Sequence, residues 1–486
     1  MPRQLLEIND FWWIIHDATK QVTNGFFDVF WIDLYSEDWV AQINRSITWT
    51  EDAVITEIPI SFTVFDDKLI VWAANEKIYY DNGTIFTTLW TNTNSGDNND
   101  IIVYQKFLVF SSESRLGISN DYTVAGWLSY NPTWASWWPS FDNDYPFHIF
   151  NILNNRLYIS DWNKIAELDG ASDPTTPSNW ILDTAKFILP EDEVILSMEW
   201  YGTEMAIGTE KWNIYIWDWV STNATDIIYG NYWKITAMIQ FENMLLVCAW
   251  TSWVIYYYNG SDLVPFVQVP QIDRDSNTYI HLRGIIRYKT GVLFLIPNNG
   301  IYIYARNKQN RFVLTKYGSL RNWLLPTEVS NLNCVILTDV EENFFYIWYT
   351  YSWDERVDTV DDSLSNYYYL MEPTSWNISW WPYLETQVYE LRGRNGKKTK
   401  VQWIQAMFSK IRNIGGSISN RILVKYRLDN DLNYTTLWEI GLWWLDEEQI
   451  LRGIGKQAEK VQFRIYLWQT FWSNARNTKL THLKVF

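Results

Sequence analysis

Glu204-Met-Ala-Ile-Gly-Thr209 and Asn213-Ile-Tyr-Ile-Trp-Asp218 form the passage on which the reading of the fold turns. Each half is a short apolar run, and a polar break separates the two. Such runs suit a pleated, half-buried surface and are too short for a helix. The same two-run phrase recurs along the chain. It appears at Lys68–Trp72 with Lys77–Gly83, Lys106–Phe110 with Leu116–Asn120, and Arg156–Ser160 with Lys164–Gly170. It returns at Met244–Cys248 with Val254–Gly260, Val292–Ile296 with Gly300–Ala305, and Phe344–Trp348 with Tyr367–Leu370. With the opening phrase this makes seven copies. Their spacing of roughly 40–50 residues matches four-stranded propeller blades.

The expected class is therefore all-β. An about seven-bladed β-propeller is expected over 26–383, after an N-terminal extension over 1–25. Partial alternation of polar and apolar residues fits sheets stacked face to face. Ring closure needs a strand from the far end of the chain, and Phe26–Ile60 is the expected supplier. The polar stretches Asn92–Asp100 and Asp354–Asn366 read as mobile insertions. After about residue 384 the blade phrase stops. Runs at Gln402–Phe408, Ile422–Arg427, Thr435–Ile440, Val461–Leu467 and Leu480–Phe486 predict a jelly-roll-like β-sandwich over 384–486.

Charge divides at the same place. Residues 384–486 carry 17 Lys and Arg against nine Asp and Glu, or +8. The other 383 residues carry 22 basic and 47 acidic side chains, or −25, for a total of −17. So acidic a chain argues against general nucleic-acid binding. The split predicts self-association, or contact with another protein, through an acidic propeller and a basic C-terminal domain. The basic Arg392–Lys400 segment reads as a hairpin tip. No classical export signal and no membrane-spanning run is expected from the sequence.

The residues that carry chemistry are sparse. Cys248 and Cys334 each sit in an apolar run, as buried free thiols would. His16, His148, His281 and His482 are scattered, without metal-ligand spacing. Asp273–Asn277 and Asp429–Asn433 each begin like a calcium loop. Neither has glycine at the sixth position or glutamate at the twelfth, so Asx turns are expected. Nucleophile-elbow, phosphate-loop, dinucleotide and zinc-protease motifs are absent, and no enzyme, cofactor or metal is expected.

The chain holds 32 tryptophans and only 21 glycines. Many tryptophans fall where a hairpin wants a turn residue: Trp49, Trp162, Trp219, Trp250 and Trp253. The pairs at 137–138, 380–381 and 443–444 also lie beside Pro, Ser or Asp. Either the protein is aromatic-rich, with surfaces that stack on sugars, or some of these codons are read as glycine under an alternative genetic code.

The N-terminal Ile8-Asn-Asp-Phe-Trp-Trp-Ile-Ile15, the phrase Asp33–Gln42, the repeat at Met205–Asp218 and the closing Leu-Thr-His-Leu-Lys-Val-Phe486 together resemble the β-propeller virion and tail structural proteins of tailed bacteriophages. The resemblance spans most of the chain and carries no catalytic motif. It implies a non-enzymatic virion or tail component, assembled in the host cytoplasm, that contacts other virion proteins or a host-surface glycan. A bacterial adhesin or lectin-like propeller is the alternative, and a polysaccharide-degrading propeller enzyme is a third.

Overall fold

A computed structural model describes the forty strands of the chain. It also describes the short turns within 57–74, 98–112, 148–168, 186–230, 234–249, 254–268 and 279–296, and residues 429, 433 and 434. The described residues are all-β, with no helix among them. None of them forms a helix long and apolar enough to cross a membrane.

Seven antiparallel meander sheets follow one another. The first runs Pro59–Phe65, Lys68–Ala73, Lys77–Asp81, Phe86–Thr91, and the second Asn98–Tyr104, Phe107–Ser112, Arg115–Ser119. The third is Phe150–Leu153, Arg156–Asp161, Lys164–Leu168, Phe187–Ile188. The fourth is Ile195–Tyr201, Glu204–Thr209, Asn213–Trp217, Asp226–Tyr229. The fifth is Ile235–Phe241, Met244–Ala249, Val254–Tyr258, Leu263–Gln268, and the sixth Ile285–Tyr288, Gly291–Ile296, Gly300–Arg306, Phe312–Gly318. The seventh sheet contains Val329–Leu337, Phe344–Tyr351 and Asp354–Asp361. Its fourth strand is Thr48–Ile55, from the start of the chain.

Packing explains why alternation along these strands is incomplete. The second strands are covered on both sides: Leu69–Ala73, Leu157–Ile159 and Val292–Ile296 are all buried. Apolar clusters join consecutive sheets. Ile70, Trp72 and Ile78 of the first pack on Ile101, Leu108 and Phe110 of the second. Comparable clusters join the second to the third, the third to the fourth and the fourth to the fifth. Ile55, Trp348 and Val357 of the seventh meet Phe62, Leu69 and Val71 of the first. The first strands of successive sheets also touch in sequence, and Val329–Leu337 of the seventh touches Pro59–Phe65 of the first.

Two further sheets hold the C-terminal strands. One has the order Leu6–Ile8, Lys479–Val485, Thr399–Ser409, Glu447–Ala458. The other has the order Trp13–Ile14, Gly25–Phe30, Tyr383–Thr386, Lys460–Gln469, Asn420–Leu428, Thr435–Leu442. The five runs expected after residue 384 lie in these strands. Glu447–Ala458 was not anticipated, because Glu447-Glu-Gln-Ile-Leu-Arg-Gly is too polar to stand out. Strands from residues 6–30 pair here, and not with the seven meander sheets.

Parts of two expected insertions are strands, 98–100 and 354–361, while 92–97 and 362–366 lie outside the described residues. Asp354–Asp361 is the third strand of the seventh sheet, the place the repeat reading gave to Tyr367–Leu370, which lies outside the described residues. Its polar composition resembles a loop, yet Glu355 and Asp358 are engaged inside the sheet. Asp358 is buried and accepts from the Tyr349 hydroxyl (2.6 Å), and Glu355 accepts from the Trp348 indole (2.8 Å) and from Thr350 (2.8 Å). Asn98–Tyr104 likewise opens the second sheet, and Asp100 is 1% exposed. Trp49 is a further correction: it lies within the strand Thr48–Ile55 opposite Val360, and not in a turn.

Candidate functional site

The densest polar network among the described residues gathers at the first strands of the meander sheets. Asp100 is its centre. Its Oδ1 accepts from the Ser61 hydroxyl of the first sheet (2.9 Å), from its neighbour Ile101 N (2.9 Å) and from Arg283 Nε (3.1 Å). Its Oδ2 accepts from Phe150 N of the third sheet (3.0 Å) and from Arg283 Nη2. Arg283 stands just ahead of the sixth sheet, 183 residues from its partner. One carboxylate thus ties four sheets together, and both its oxygens are fully engaged. A charge this buried is tolerable only when paired and hydrogen-bonded in this way. Ser111 extends the network: its hydroxyl donates to His148 O (2.9 Å) and accepts from Asp100 N (3.1 Å).

A second carboxylate lies nearby in the same strand set. Glu199 Oε1 accepts from Gln240 N of the fifth sheet (3.2 Å), and Arg287 of the sixth stands 3.7 Å away. Burial raises its pKa to about 7, against the lowering pull of the Gln240 amide and of Arg287 and Arg283. A carboxylate whose folded pKa is raised binds its proton more tightly in the folded chain. Its contribution to stability is therefore full at acidic pH and declines as pH climbs from the ordinary carboxylate range through about 7. Glu199→Gln is expected to flatten that part of the stability–pH curve by on the order of 2 kcal/mol. Urea midpoints of both proteins between about pH 5 and about pH 8 check this, and identical curves would refute it.

The histidines divide. His281 is half-buried and its Nδ1 accepts from Arg283 N (3.2 Å). Burial first, and Arg283 second, hold its pKa down to about 4, so it is a neutral acceptor at neutral pH. Buried His148 places Nδ1 3.1 Å from Ser160 O and 3.6 Å from Asp161 Oδ1. The side chains of His16 and His482 lie outside the described residues. Cys248 is buried and unpaired, and burial pushes its thiol up to about 12, too high for a nucleophile. The Cys334 side chain is not among those described. Asp429 accepts from Lys460 N, 31 residues on (3.0 Å), while 430–432 of that segment and Asp273–Asn277 lie outside the described residues.

Of the tryptophans expected in turns, Trp162 and Trp219 take φ of 52° and 55°. Trp250 and Trp253 lie outside the described residues, as do the Trp pairs and 392–398 of the basic segment. Trp212, at φ 72°, escaped the sequence reading. Asp100, Arg283, Glu199 and Arg287 escaped it too, because the residues that meet are far apart in the chain.

No protein-family model and no curated protein matches the chain. Among solved structures, BBS1N in complex with ARL6DN is similar at a TM-score of 0.46 and 9% identity, over 67% of this chain and 100% of that one. The WD40 domain of Neurospora crassa Pan2 is similar at 0.43 and 9%, over 65% and 97%. The computationally designed Ika8 protein is similar at 0.41 and 10%, over 64% and 99%.

Proposed function

We propose that the chain is a seven-bladed β-propeller closed by its own N-terminal strand, carries a C-terminal β-sandwich, and works as a non-enzymatic structural protein of a tailed-phage virion. Closure is supported by Thr48–Ile55 completing the seventh sheet and by the cluster that joins the seventh sheet to the first. In such a ring the second and sixth blades face each other across the axis, so Arg283–Asp100 is a strut spanning the central channel.

That strut is the observation that carries the scaffold reading. The axis is where a propeller gathers residues from several blades. Here its buried carboxylate accepts from five donors and holds blades together. A glycosidase would need one carboxylic acid free to protonate and a second carboxylate free to attack. The phage assignment rests on the sequence resemblance. Portal, terminase and capsid genes beside this one, and the protein itself in purified virions, are the expected findings; a gene set without them defeats the assignment.

The partner reading rests on charge. A −25 body and a +8 C-terminal part favour contact between the basic end of one copy and the acidic propeller of the next. Sedimentation is expected to show association that weakens as salt rises from about 0.05 to about 0.5 M, where the Debye length shortens from above 10 Å to a few ångströms. Reversing Arg392, Arg394, Lys397 and Lys398 to Glu should abolish it. A monomer at low salt would remove the self-association reading.

A further inference from the structure

We propose that residues 162, 212 and 219 are glycine in the protein as its source organism makes it, through UGA codons decoded as glycine, and that Trp217 is a true tryptophan. The inference rests on backbone geometry and register, independently of the function proposed above.

Left-handed backbone is reached by glycine without steric cost and by Asn and Asp with little, whereas a bulky side chain there is an outlier. Three of its other described two-residue hairpins follow this rule, with Gly202 at φ 64° opening one of them. Asp66-Asp67 and Asn154-Asn155 take positive φ at both positions, 50° and 58°, then 47° and 58°. Gln105, Glu242 and Lys289 open the other three with positive φ at the first position only, and their side chains are long and unbranched. Trp162, Trp212 and Trp219 are the bulky residues found there.

Each occupies a place that calls for glycine. Asp161 pairs with Lys164, which leaves Trp162 and Asn163 as a two-residue loop with positive φ at the first position only. That is the type II′ pattern, which favours glycine at its first central residue, as at Gly202 in the next sheet, and admits an unbranched side chain more readily than an indole. Trp212 ends the three-residue loop between Glu204–Thr209 and Asn213–Trp217 at φ 72°, the left-handed position that glycine fills in such loops.

Trp219 is the most telling case, because the next blade supplies its counterpart. Trp217 pairs with Met205, and Tyr258 pairs with Leu245, so these two residues hold the same register. Asp218 then matches Asn259, and Trp219 matches Gly260 at φ 96°. The turns are built alike. Asp218 Oδ1 accepts from Val220 N (3.1 Å) and Ser221 N (2.7 Å), while Asn259 Oδ1 accepts from Ser261 N and Asp262 N (both 3.0 Å). The sequence repeats the phrase with glycine at Asn82-Gly83 and Asp169-Gly170.

Trp217 is the contrast. Its slot is held by Tyr258, Tyr304 and Leu168 in other sheets, all large and buried. Its ring is fully buried, stacked on Phe187 at 4.8 Å, and its indole N–H donates to Ser221 O (2.7 Å). One register position therefore takes a large buried side chain, here Trp217, and two residues later the backbone calls for glycine. A consequence for function is that half-exposed indoles at these turns are no platform for sugars.

The coding DNA tests this directly. UGA is expected at codons 162, 212 and 219, and UGG at 217. UGG at the three turn codons overturns the proposal. UGA at 217 as well would also overturn it, since the codon would then be read as tryptophan throughout. An independent arm compares the chain as written with the W162G/W212G/W219G variant. The variant is expected to unfold at a higher urea concentration, and an equal or lower midpoint would count against the proposal.

Discussion

Asp100→Ala is expected to cost about 3–5 kcal/mol of folding stability, the range found when one partner of a buried ion pair is removed. The loss exceeds that of a surface bridge because the variant strands several groups at once. Arg283 keeps a positive charge beside a site that no longer balances it. The Ser61 hydroxyl and the amide of Phe150 each lose an acceptor. Asp100→Asn keeps the shape and one carbonyl acceptor, so its cost should be smaller. Denaturant unfolding of both variants measures the effect, with the midpoint moving at nearly constant slope if cooperativity is retained. The double variant Asp100→Ala/Arg283→Met should recover part of the loss, because it leaves no unpaired charge. An Asp100→Ala protein as stable as the parent would mean that the strut holds nothing together.

Trp217→Ala is expected to be comparably severe, at about 3–5 kcal/mol for a fully buried large aromatic. The indole fills space between the third and fourth sheets, edge-on to Tyr158 at 5.8 Å and stacked on Phe187. Its removal opens a cavity lined by Ile165, Met205 and Phe187, and frees the Ser221 carbonyl. Trp217→Phe should cost less, since the ring volume is mostly kept while the donated hydrogen bond is lost. Thermal or urea unfolding decides it. A loss below about 1 kcal/mol, the level of a surface substitution, would contradict the packing described.

The sequence by itself determined the all-β class, the recurring two-strand phrase and the change of texture after residue 384, because these are local properties. A strand run such as Met244–Cys248 is legible in its own composition. So is a turn slot: Trp162 and Trp219 read as misplaced residues before any φ angle was available. Asp354–Asp361 is not legible as a strand, since Glu355 and Asp358 accept hydrogen bonds from residues that only folding brings alongside. The tertiary structure alone decided where the polar network gathers. Asp100 looks like part of a solvated insertion until Ser61, Phe150 and Arg283 arrive from three other sheets. Burial and pairing are properties of the neighbours a fold supplies, and a linear sequence does not name neighbours 183 residues away.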